Sequence, residues 1–138
     1  GALAAAGAGL LAWSGVIVTG PAILLGLPGT GGFNGGGCPA PSSPAFAGSR
    51  EAVSEGLGRR LDEAHPPGSS AAALREFLHA QGFEDIGTCP DDPSIGRARF
   101  SGPLRWGQIG HTDATVAWKT DPGGRIEWTK GFVFHVSL

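Results

Sequence analysis

Residues 1–27 read GALAAAGAGLLAWSGVIVTGPAILLGL, and between Ala2 and Leu27 there is no charged residue and no His, Asn or Gln. As a helix at ~1.5 Å per residue, that run would extend roughly 39 Å, enough to cross a hydrocarbon core of about 30 Å with tilt. It exceeds the apolar core of a secretory signal and lacks a basic start. The reading that follows is a single N-terminal transmembrane helix over residues 1–27. Small residues recur along it. Ala5, Gly9 and Gly20, with Trp13, would form a face on which another membrane helix packs closely. Pro21 would kink the helix or mark its last turns.

Working outward, the charge pattern reinforces this division. Positions 1–49 carry none of the 22 charged side chains, and Arg50 is the first. Residues 28–48 are rich in Gly and Pro and read as a linker. Phe33 and Phe46 are its candidate anchors on a partner surface. The glycines lack the Gly-Lys-Ser/Thr of a phosphate-binding loop and the strand–turn–helix context of a dinucleotide site.

Residues 49–138 are expected to form one small α+β domain. Ser49 is the expected cap of a first helix, and Val53, Leu57 and Leu61 recur along one stripe. His65-Pro66-Pro67-Gly68 ends it. The second helix spans 70–81, with Leu74, Phe77 and Leu78 facing the core and Gly82 in a left-handed stop position. Residues 84–95 read as an acidic loop around Cys89. Beyond them, alternation of Ala98 with Phe100, and of Ala114 and Val116 with Trp118, predicts antiparallel strands. Ile126, Trp128, Phe132 and Phe134 share parity, so they and Trp118 are expected on one face against two helices. The fold class expected is therefore α+β, with two helices on a sheet of three or four strands behind the anchor and linker.

Cys38 and Cys89 lack metal or redox spacing and are expected to be bonded, which fits an oxidising compartment. The four His are too dispersed for a zinc signature. His111 and Asp113, two apart, could share a proton, but no nucleophile is placed beside them by any motif. A net charge of −2 without a basic cluster argues against nucleic-acid binding. No metal, cofactor or small-molecule ligand is indicated.

These features define the expected role. It is a non-catalytic, membrane-anchored accessory subunit of a larger bacterial membrane complex, with respiratory and photosynthetic assemblies as natural hosts. Its partners would be integral membrane proteins and the lipid bilayer, and its domain would lie on the periplasmic side of the inner membrane. Two alternatives differ in class. One is a small periplasmic binding module using Trp106, Trp118, Trp128 and Phe134. The other is a hydrolase using His111 and Asp113.

Overall fold

The computed structural model describes residues 20–28, 38, 54–103 and 110–136. Two helices, α1 (Glu55–Ala64) and α2 (Ala71–Ala80), precede four strands: β1 (Glu84–Cys89), β2 (Asp92–Gly102), β3 (His111–Thr120) and β4 (Ile126–Val136). The strands form one antiparallel meander in sequence order. Side-chain oxygens start both helices, with Ser54 accepting from the Leu57 N–H and Ser70 from the Ala73 N–H. At the end of α2, Gly82 takes a φ of 95°. The Phe83 N–H then bonds the Leu78 carbonyl and the Gly82 N–H bonds the His79 carbonyl, closing the helix and folding Phe83 into the core.

Period-two alternation assigns each strand residue to a face. One face carries Ala98, Ala114, Val116, Trp118 and Val133, which pack with Leu57, Leu61, Leu74 and Leu78 of the helices. Leu57 seats directly over Gly131, where an added Cβ would stand 2.5 Å from its side chain. The opposite face holds a second cluster of Cys38, Cys89, Ile95 and Ala117, with Trp128 against it. Cys38 and Cys89 are disulfide-bonded, as their number and spacing suggested.

The apolar run at the start of the chain needs correction. No helix among the described residues is long and apolar enough to cross a membrane. Ala22–Leu24 form one 3-10 turn between Pro21 and an extended Leu25. Ile23, Leu24 and Leu27 belong to the helix-side core of the domain, and Leu24 is completely buried. Leu27 rests on Gly56 of α1, where an added Cβ would lie 2.6 Å from its Cδ2. Gly56 costs helix propensity, but the space it leaves is what Leu27 occupies. Three side chains clamp the turn's backbone. Arg60 donates to the Ile23 and Leu25 carbonyls, Gln81 Oε1 accepts from the Ile23 N–H, and His135 Nε2 bonds the Leu27 carbonyl at 3.0 Å.

These apolar side chains thus bury in protein, where a transmembrane helix over 1–27 would have placed them in lipid. That overturns the anchored architecture. With it go the accessory-subunit role, the integral-membrane and lipid partners, and the inner-membrane placement with a periplasmic domain. Of the expected helix-packing face, Gly20 sits in a half-buried bend, while Ala5, Gly9 and Trp13 lie outside the described residues. Phe33 and Phe46 also lie outside them.

Two further expectations change. Residues 84–95 form a hairpin, β1 to β2, in place of a loop. In β4 the expected common face is divided. Thr120 pairs with Ile126 but Lys119 with Trp128, so a bulge at Glu127 switches parity. Ile126 therefore packs with the helices and Trp128 on the opposite side.

Candidate functional site

The edge strand β1 is nearly all exposed. A register shift between Asp85 and Gly87 bulges it. The Arg97 guanidinium donates to the carbonyls of Ile86, Gly87 and Thr88. A bulge and a capping cation are devices that discourage edge pairing.

Between this edge and α2 lies a cleft of two adjoining lobes, about 460 Å³ and about 820 Å³. Ala72, Arg75, Asp85 and Trp118 are walls of both. The α2 wall consists of Ala72, Arg75, Glu76 and His79, which recur at helical spacing on one face. Leu78, Phe83 and Ala98 supply the apolar floor of the smaller lobe. Over the junction, Arg75 of α2 and Asp85 of β1 pair at 2.8 Å, with both side chains well exposed. Such a pair contributes about 0–1 kcal/mol and opens readily. Asp85 does not depend on it. Its carboxylate accepts from the Gly87 N–H at 2.9 Å, and this bond is the main reason its pKa lies below the ordinary value; partial burial opposes it and Arg75 adds to it.

Trp118 forms the base of the junction. Its indole lies against Gly96 of β2, so that a Cβ at Gly96 would stand 2.7 Å from the ring and 2.9 Å from Nε1. Gly96 itself lines the larger lobe. Trp118 is only 3% exposed, and among the described residues no acceptor meets its indole N–H. A buried donor without a partner costs on the order of 1–3 kcal/mol, and buried Trp N–H groups normally find one. Trp118 lines both lobes of the cleft.

The other residues singled out from sequence are distributed differently. Trp118 pairs in register with Thr129, and Trp128 with Lys119, so Trp118 and Trp128 lie on opposite faces. Phe134, paired with Asp113, is also on the far face, and Trp106 lies outside the described residues. An aromatic binding face combining these side chains is therefore not formed. Lys130 instead places its ammonium 4.9 Å from the Trp128 ring.

His111 and Asp113 do come together on the far face, with Nε2 3.5 Å from the carboxylate. Burial raises the Asp113 pKa, but the Ser101 hydroxyl, Arg99 at 3.2 Å and His111 together hold it below the ordinary aspartate value. The order of contacts is Ser101–Asp113–His111, with the carboxylate in the middle. A nucleophilic triad requires the imidazole there, bonded to the hydroxyl. Among the described residues no group of three or more His, Cys, Asp or Glu is arranged to hold a metal ion.

The depressed aspartates make stability depend on pH. A carboxylate with a lowered folded-state pKa contributes stability that is present above its unfolded value of about 3.9 and is lost as pH falls through the folded value. Asp85, Asp113, and Asp92 held by Ser94, all act in this direction. Urea unfolding is expected to show stability falling from pH 6 toward pH 3. Asp113→Asn should lose less over that interval than the wild-type chain. An equal loss would remove Asp113 from this account.

The chain matches no protein-family model, no curated protein and no solved structure.

Proposed function

We propose that this protein is a small, disulfide-stapled, non-catalytic binding domain whose site is the cleft between α2 and the β1–β3 surface. The observation that supports this reading is the buried indole N–H of Trp118, unpartnered among the described residues, at the junction of two lobes. An apolar floor beside a few directed polar groups is the usual composition of a ligand site. A ligand carbonyl accepting from Nε1 would satisfy the donor while an apolar group covers Leu78 and Ala98.

The minimal probe is a neutral amide, N-acetyl-leucine methylamide, titrated while the indole N–H resonances are followed by NMR. The Trp118 resonance is expected to shift and saturate while that of Trp128 stays in place. Trp118→Phe, which keeps an aromatic ring but removes the donor, should weaken binding about fivefold, the equivalent of one hydrogen bond. A thermal melt of the variant establishes that it is folded. Saturable binding with an unmoved Trp118 resonance, or equal affinity in the folded variant, would sink the proposal.

A further inference from the structure

The chemistry of the cleft's rim narrows its ligand. Four carboxylates line the two lobes: Glu76 and Asp85 in the smaller, and Asp85, Asp121 and Glu127 in the larger. Against them, among the described residues, stand only two permanent cations, Arg75 and Lys119. Both cations are already engaged, Arg75 with Asp85 at 2.8 Å and Lys119 with Asp92 at 3.6 Å. Asp121 is turned inward, accepting from the N–H groups of Gly123 and Arg125. Glu76 and Glu127 make no ion pair with a described residue. Glu76 belongs to one lobe and Glu127 to the other, and Trp118, whose indole N–H meets no acceptor among the described residues, lines both. An anionic ligand would meet this rim with repulsion. A ligand with an acceptor at its centre and positive charge toward an end meets it with attraction.

Resting on the reading of the cleft as a binding site, we propose that its ligand is a cationic peptide segment. A backbone carbonyl accepts from Trp118 Nε1, a small apolar side chain covers Leu78 and Ala98, and a Lys or Arg side chain lies toward Glu76 or Glu127. Peptides supply all three parts at short spacing: amide acceptors at every residue, apolar groups and fixed cations. The exposed Arg75–Asp85 pair spans the junction and can open for a chain that occupies both lobes. Asp85 stays held by the Gly87 N–H when it does.

The test compares acetyl-Leu-Lys-amide with acetyl-Leu-Glu-amide on the whole chain, using the Trp118 indole resonance as the readout. At low salt the Lys peptide is expected to bind at least about fivefold more tightly, roughly the effect of one exposed charge contact in water. The difference should shrink in about 0.5 M NaCl, where screening is strong. It should largely vanish in the double variant Glu76→Gln/Glu127→Gln, whose exposed substitutions leave the core untouched. Equal or tighter binding of the Glu peptide, or a Lys preference that survives in the double variant, overturns the inference. If the neutral amide still binds at Trp118 in that case, the cleft remains a binding site and only the peptide class is wrong. If neither the neutral amide nor either peptide moves the Trp118 resonance, both readings fall together.

Discussion

Leu24→Ala is expected to destabilise the domain by about 2–5 kcal/mol, the range for removing a fully buried leucine. Leu24 is completely buried, and it sits in a turn whose carbonyls and N–H groups are held by Arg60 and Gln81. The surroundings can therefore collapse only partly into the space left behind. For a domain of this size each kcal/mol shifts the melting temperature by about 4–8 °C, so a loss of roughly 10 °C or more should be visible in a thermal scan. Urea unfolding gives the free energy directly. The control is Ala22→Ser in the same turn, where the side chain is exposed and a change within about 0.5 kcal/mol is expected. The two readings of the first 27 residues part at this experiment. A leucine facing lipid would leave the stability of the α+β core unchanged on substitution, and an unchanged Leu24→Ala midpoint would reject the packing described for the turn.

The misreading of that segment has a physical origin. An apolar run free of charge states only that it avoids water; lipid and a protein core satisfy it equally well. The local signals that separate the two were present. Pro21 removes a donor and Gly26-Leu27-Pro28 breaks a helix, yet both features are also tolerated at the end of a membrane span. The decisive partners, Gln81 and His135, lie 58 and 108 residues from their contacts in the chain. Local chemistry was more informative where the partners are local. Ser70, the Leu74–Leu78 spacing and Gly82 define α2 within a dozen residues. The alternation in β3 likewise identifies Trp118 as a core residue. What alternation does not reveal is register. Only the pairing of Gly96 with Trp118 shows that the indole lies over a residue without a side chain, and only the bulge at Glu127 separates Ile126 from Trp128. The acidic segment 84–95 is obscure for a different reason. Five exposed residues in a row over Glu84–Thr88 carry no inward period, because β1 is an edge held mainly by its backbone and by Arg97. The site inherits this limit, since its walls come from α2, all four strands and the turn between β3 and β4, elements far apart in the chain.

Removing the disulfide, in Cys38→Ala/Cys89→Ala, is expected to cost about 4 kcal/mol. The two cysteines are 51 residues apart, and closing a loop of that length in the unfolded chain accounts for about that much in the chain-entropy model. The loop encloses α1 and α2, so the bond restrains both helices before they dock on the sheet. Both sulfurs are buried beside Ile95, Ala117 and Trp128, and the alanines would leave a small void there as well. Against a typical total of about 5–15 kcal/mol, a small domain loses a large share of its stability by this change. Urea unfolding of wild-type chain with reductant, wild-type chain without it, and the double variant should give two midpoints. Reduced wild type and the double variant are expected to agree near the lower one, and the variant should not respond to reductant. An oxidised wild type that unfolds at the variant's midpoint would rule out the bond as a source of stability. The cleft offers a second readout that separates stapling from site building. Neither cysteine lines it, whereas α2, inside the cross-linked loop, forms one wall. Binding of the neutral amide, corrected for the fraction folded, should then be the same in the variant as in the oxidised protein. A residual loss of affinity after that correction would mean that the bond also sets the position of α2 over Trp118.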